Sequence, residues 1–197
     1  MDKKSVSATI LVFYLAVIFS VVGACFSSFV FVKTKIEVKS VAVQVSQGVE
    51  VFEDEKLTKK VTKLKLSELD FGLKPVTGEI DAVTNVPSTI TCEGSTEGYY
   101  SSVYVKSSVD FKIVVKDIRV ESEKNALDVK EERKNIFISI KDVENTTKSL
   151  ENDEVEIVVF RDNMETQKLT FLIWLDALAG EDLEGAQISF VLDFVAV

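Results

Sequence analysis

The sequence predicts an all-β protein, an antiparallel, jelly-roll-like β-sandwich preceded by one N-terminal transmembrane or signal helix. Three observations lead there. Residues 5–32 carry no charged side chain. From residue 34 onward, apolar side chains recur at every second position in run after run, the period of half-buried strands. Helical periodicity is weak over the same stretch, and 2 Pro and 8 Gly are too few for a loop-dominated chain. The 197 residues therefore divide into a signal or anchor, residues 1–32, and an extracytoplasmic sandwich domain, residues 33–197. About 165 residues is a normal size for one domain with its own core.

As a helix, residues 5–32 would span about 42 Å, more than the roughly 30 Å hydrocarbon core of a bilayer. The membrane-spanning centre is Ile10, Leu11, Val12, Phe13, Leu15, Val17, Ile18, Phe19, Val21 and Val22. Three fates fit the segment. It is a retained signal anchor, because Phe29 to Val32 continue the apolar run past the point where a signal peptide would end. Alternatively it is cleaved near the small residues Gly23, Ala24, Ser27 and Ser28. In the third reading Val22-Gly-Ala-Cys25 acts as a lipobox and Cys25 is lipidated, although an apolar stretch follows where a polar tether is usual. Lys3 and Lys4 on one side nearly balance Lys33, Lys35 and Lys39 on the other. A short N-terminal tail with two lysines stays cytoplasmic, which places the domain outside, at the cell membrane or released to the cell surface.

The strands follow in order. Val41, Val43 and Val45 alternate with Ala42 and Gln44, and Val61 to Leu66 is a second period-two stretch. Tyr99 to Lys106 is a third. In Val109 to Val115, Val109, Phe111, Ile113 and Val115 take one face and Asp110 and Lys112 the other, and the run continues through Ile118 and Val120. Ile136–Ile140, Val155–Phe160, Leu169–Leu175 and Ile188–Val195 complete the set, the last with Ile188, Phe190, Leu192 and Phe194 on one face. Leu66 to Leu69, Asn125 to Glu132 and Asp176 to Glu184 are short enough for a turn or two. Residues 71–98 hold few strand signals and read as a long connection or an edge hairpin. Trp174 lies in an almost wholly apolar run, so its strand is central or covered on its second face.

Composition removes whole classes of chemistry. The chain contains no histidine, which excludes Ser-His-Asp and Cys-His nucleophiles, HExxH zinc proteases and every His-ligated metal. With Cys25 in the apolar segment and Cys92 alone in the domain, there is neither a domain disulfide nor a cysteine zinc site. No glycine-rich phosphate loop occurs. Carboxylate pairs remain on paper, but among 32 Asp and Glu some pair always exists. The expectation is a non-enzyme with no cofactor apart from calcium, for which Asp176, Glu181, Asp182 and Glu184 offer oxygen ligands around a glycine turn without EF-hand spacing. The bland reading of that stretch is a solvated acidic loop. Asn145-Thr-Thr147 is a glycosylation sequon. A net charge of −9 repels phosphate backbones, and the lysines from Lys56 to Lys65 alternate with other residues as the wet face of a strand does. Nucleic acid is not an expected partner.

At the two ends the sequence resembles TasA/camelysin-type exported surface proteins. The resemblance rests on Ile18-Phe-Ser-Val-Val-Gly-Ala-Cys-Phe-Ser-Ser-Phe29, on Phe171-Leu-Ile-Trp-Leu-Asp176, and on Leu183 to Phe190 with the final Leu192-Asp-Phe194. It implies a jelly-roll sandwich of the cell surface, with some members assembling into matrix fibres by passing an N-terminal strand to a neighbour. Cys25 departs from the family pattern near the processing point. The residues allow the same idea: Thr34 to Ser46, if freed, is strand-like and can join a neighbour's open edge, and if retained it is the first strand of its own sandwich. The leading expectation is a cell-surface structural or interaction protein, with self-assembly as one mode. The alternative is an anchored module for carbohydrate or another envelope component, using residues 71–98 with Tyr99 and Tyr100 beside them.

Overall fold

The computed structural model describes residues 36–67, 72–90, 97–121, 129–160, 166–179, 183 and 185–197, all within a compact unit running from Lys35 to Val197. The strands are β1 (Glu37–Val45), β2 (Val49–Phe52), β3 (Tyr99–Ser107), β4 (Phe111–Glu121), β5 (Ile136–Ile140), β6 (Lys148–Ser149), β7 (Glu154–Phe160), β8 (Gln167–Leu175) and β9 (Gln187–Ala196). They form a four-stranded sheet in the order β1-β9-β4-β7 and a five-stranded sheet in the order β2-β3-β8-β5-β6. The inner faces of the two sheets share one apolar cluster, so the architecture is an all-β sandwich. The helical content among the described residues is short. Val129–Glu132 makes one α-turn that runs into a 3₁₀ turn at Arg133–Asn135, and Ser88–Ile90 makes another.

Alternation explains which side chains point inward, and its interruptions explain the bulges. In β4, Phe111, Ile113 and Val115 are buried at odd positions, whereas Ile118 is buried at an even one. A period of two cannot change phase without an extra residue. That residue lies between Lys116 and Arg119, where the register against β9 shifts, and Asp117 absorbs the distortion with φ +54°. The same slip occurs in β1 between Val38 and Val41, with a register shift between Val38 and Ser40. It occurs again in β7, where Ile157 is the extra residue opposite Ile113 and Val114. β9 keeps one phase, and Ile188, Phe190, Leu192 and Phe194 are all buried. Phe194 is the hub of the aromatic packing, 6.2 Å from Phe111 and edge-on to Phe171 at 6.3 Å.

Three expectations need correction. The sandwich is not wholly antiparallel, because β1 runs parallel to β9 from Glu37↔Gln187 to Val45↔Phe194. The two strands stand at opposite ends of the chain, so no hairpin dictates their relative direction. Val61–Leu66 is not a strand of either sheet. Val61 donates to the Val51 carbonyl (2.9 Å), while Leu64 donates to the Val41 carbonyl (2.8 Å). The segment crosses from the rim of one sheet to the rim of the other, and each rim holds it for too few residues to build a ladder. Val109 does not join the inward face and stays 41% exposed. Ser107 turns the chain there, accepting from the Val109 N–H (3.2 Å) and donating to its carbonyl (2.6 Å).

β8 is apolar on both faces for a visible reason. Leu169, Phe171, Ile173 and Leu175 enter the inner core, and Leu172 and Trp174 point outward. Residues 72–90 cross that outer face as a strap. Val76, Val86 and Ile90 pack on Leu172 and Trp174, with Tyr100 and Phe137 at the margin. Trp174 is 2% exposed and stacks on Phe137 at 5.7 Å and 16°. The cover comes from the chain's own long connection. Gly98 permits the close approach, since a Cβ there would lie 2.9 Å from Ile90 Cγ2 and 3.0 Å from the Ile173 carbonyl oxygen.

Candidate interaction surfaces

Two features stand out on the surface: the clasped strap and the rims of the two sheets. The strap is held by polar contacts at several points. Glu97 accepts from the Thr77 hydroxyl (2.6 Å), the Thr77 N–H (3.2 Å) and the Thr89 hydroxyl (2.6 Å). Partial burial raises the Glu97 carboxyl, but the Thr77 and Thr89 hydrogen bonds outweigh it and hold the group below its ordinary value. Asp81 sits below its ordinary value too, chiefly because the Thr84 N–H donates to it (2.7 Å) within the strap's turn. Thr147 donates its hydroxyl to the Thr84 carbonyl (2.7 Å), pinning the turn to the loop before β6. Pro75 bridges to Leu175, and the Val76 N–H donates to the Leu175 carbonyl (3.3 Å).

The rims differ in how they are finished. At the β1 rim, Ala42 bridges Lys63, and the Val43 N–H donates to the Thr62 carbonyl (2.9 Å). At the β2 rim, Phe52 bridges Lys60, and the Glu53 N–H donates to the Lys59 carbonyl (2.9 Å). One crossing segment therefore closes both. Val61 and Leu64 are buried, and Lys59, Lys60, Lys63 and Lys65 are exposed, as is Lys56 before them. Of these five lysines only Lys60 is ion-paired among the described residues, to Glu50 at 2.7 Å. That contact, with the charge of Lys106, lowers the Glu50 carboxyl below its usual range.

The opposite rims are finished less completely. β6 has only two residues. β7 has seven, pairs with β4 on one side, and takes no backbone partner on the other among the described residues. Glu151 and Asp153 just before it and Glu154 and Glu156 along it are exposed, followed by half-buried Val158 and Val159. Lys112 reaches Glu156 at 3.1 Å. Arg133, only 4% exposed, fixes the approach to β7, donating to the Glu151 carbonyl (2.8 Å) and to Asp153 (2.9 Å).

Several residues singled out in the sequence take defined places. Asp176 turns inward on its own loop and accepts from the Leu178 N–H (2.8 Å). Its expected companions Glu181, Asp182 and Glu184 lie outside the described residues, as do the membrane-spanning residues, Cys25 and Cys92. Among the described residues no group of three His, Cys, Asp or Glu is placed to hold a metal, and no helix is long and apolar enough to cross a membrane. Tyr99 is in the inner core at 8% exposure, and Tyr100 is half-buried at the edge of the strap cluster. In the sequon, Asn145 is exposed in a turn at φ +60°, Thr146 is buried, and Thr147 holds the strap. The Thr146 hydroxyl accepts from the Ile140 N–H (3.0 Å) and lies 2.9 Å from the Val143 carbonyl.

An open depression of about 470 Å³ lies beside the β1–β2 turn, lined by Gly48, Glu50, Lys60, Lys106 and Ser107. Glu50 and Lys60 neutralise each other there. The role of the strap and the Glu97 clasp had no periodic signal in the sequence. Residues 71–98 were legible only as a connection, because Val76, Val86 and Ile90 are spaced to suit the surface they cover. Comparison with protein-family models, curated proteins and solved structures gives no match.

Proposed function

We propose that the chain is a non-catalytic structural or interaction protein of the prokaryotic cell surface. In this reading residues 5–32 carry it to or through the membrane, and the sandwich self-associates by strand addition into a fibre or matrix. The observation that carries the reading is the outer edge of β7, which has no backbone partner among the described residues, since a row of free N–H and C=O groups is a template for another strand. The interleaved order β1-β9-β4-β7 against β2-β3-β8-β5-β6 supports the jelly-roll version of the sandwich, in keeping with the TasA/camelysin resemblance at the chain ends. A glycan-binding role has less to draw on, because Tyr99 and Tyr100 are not presented as a flat stacking surface.

The test is to produce the full-length chain in a bacterial host and image the cell envelope by electron microscopy, alongside cells lacking it. Fibres or a matrix layer labelled by an antibody to the domain are expected. A chain that remains monomeric in the envelope at every expression level would overturn the reading. Intact-mass measurement of the same material separates a retained anchor from cleavage near residues 24–29 and from lipidated Cys25.

A further inference from the structure

β1 and β7 are the two ends of one sheet, three strand spacings of about 4.8 Å apart. Their finishes are opposite in charge. Beyond β1 lies the crossing segment with exposed Lys56, Lys59, Lys60, Lys63 and Lys65 and no acidic residue between Lys56 and Lys65. Leading into and along β7 lie exposed Glu151, Asp153, Glu154 and Glu156, of which Asp153 is paired to Arg133 and Glu156 to Lys112, with no basic residue between Glu151 and Phe160. Pairing β7 with β7 of a second copy would bring two acidic rims together, and pairing two lysine rims would be equally unfavourable. Only lysine rim against acidic rim is complementary.

We infer that the occupant of the β7 edge is the lysine-bearing segment 59–65 of a second copy of this chain. The inference rests on the self-association reading and specifies its contact. Segment 59–65 runs from the β2 rim to the β1 rim, with Val61 and Leu64 buried in its own domain and its lysines exposed. Docked on β7, it sets Lys59, Lys63 and Lys65 near Glu151 and Glu154 of its neighbour. The contact joins two different surfaces, so each added copy presents a fresh β7 edge, and repetition gives an open filament rather than a closed dimer. β1 stays in its own sheet. The bulge at Ile157 and the glutamates limit this edge to a partner that brings the matching charge.

The experiment uses full-length chain in detergent, as a mixture of ¹⁴N- and ¹⁵N-labelled copies, with zero-length carbodiimide coupling of carboxylates to amines. Mass spectrometry should find mixed-isotope peptide pairs joining 59–65 to 151–156. Sedimentation should show self-association weakened about tenfold or more by Lys59→Glu, Lys63→Glu and Lys65→Glu together, and equally by Glu151→Lys with Glu154→Lys. Combining all five changes should restore it, and raising the salt should weaken the parent protein. The changed residues are exposed, and circular dichroism checks each variant for the parent fold. Association that persists in both single-rim variants without mixed-isotope links overturns this contact while leaving self-assembly standing. A parent chain that does not associate overturns both.

Discussion

On its inner face β8 meets a second sheet, and on its outer face it meets a strap of its own chain. The inner contacts come from strands that alternate, so each contributes several side chains in register: Phe171 against Phe194, and Phe194 against Phe111. The outer contacts come from three separated residues, Val76, Val86 and Ile90, laid over Leu172 and Trp174. The inner face is held by apolar area spread over both sheets. The outer face rests on a smaller cluster and on clasps, Glu97 on Thr77 and Thr89 and Thr147 on Thr84. Damage to the first should unfold the domain, and damage to the second should open the strap while the sandwich stands.

The largest effect belongs to the inner face. Phe194→Ala removes a fully buried ring that touches two others, and the domain should lose about 4 kcal/mol. Urea unfolding followed by far-ultraviolet circular dichroism should show a lower midpoint with an unchanged slope. A loss below about 1 kcal/mol would mean that Phe194 is not the hub described. Ile90→Ala is the matching change on the outer face. The strap can settle into the gap, so roughly 2 kcal/mol is expected. Its distinguishing sign is Trp174, the only tryptophan of the chain, which should become more accessible to acrylamide while the strand signal is retained. If Trp174 quenching does not change, the strap is not its cover.

A smaller step separates area from clasp. Thr147→Val keeps the shape and removes the hydroxyl that donates to Thr84, which should cost about 1 kcal/mol. Amide exchange should quicken at Asp81 to Val86, whose internal bonds include Asp81 N–H to Val86 carbonyl at 3.0 Å, and stay slow in β8 and β9. Equal quickening in the inner strands would erase the distinction between the two faces.

The same distinction governs what was legible beforehand. The strands of the inner core follow from alternation, and Ile136–Ile140 coincides with the observed β5. Even the bulge at Asp117 has a trace, the change of phase between Val115 and Ile118. Pairing is another matter. Alternation states that a strand has an inner face but not which neighbour it has, so neither β1 beside β9 nor the place of β7 at the end of its sheet could be read. Val61–Leu66 shows the limit most sharply: a period of two would put Val61 and Leu64 on opposite faces, yet both are buried, because Val61 is held at the β2 rim and Leu64 at the β1 rim. The strap was illegible for the opposite reason, having contacts without period. Tyr99 shows that position beside a loop does not imply exposure, because strand phase sends its ring into the core.

The smallest expected effect concerns pH and tests the clasp alone. Glu97 has a folded value below its ordinary 4.5, so the unfolded or detached state binds the proton more readily. Its contribution to holding the strap is complete above about pH 4.5 and is lost as the pH falls through the lower folded value. Asp81, also depressed and also in the strap, loses its contribution in the same direction. Asp81 is exposed and Glu97 only partly buried, so solvent screening keeps the effect small, too small to move a global melt but enough to change how often the strap opens. Acrylamide quenching of Trp174 should therefore rise as the pH is lowered from 6 toward 3 while the strand signal holds. In Glu97→Gln part of that rise should vanish, leaving the share due to Asp81. An identical pH profile in Glu97→Gln would show that the carboxylate bonded to Thr77 and Thr89 does not hold the strap, and that apolar contact through Val76, Val86 and Ile90 is sufficient.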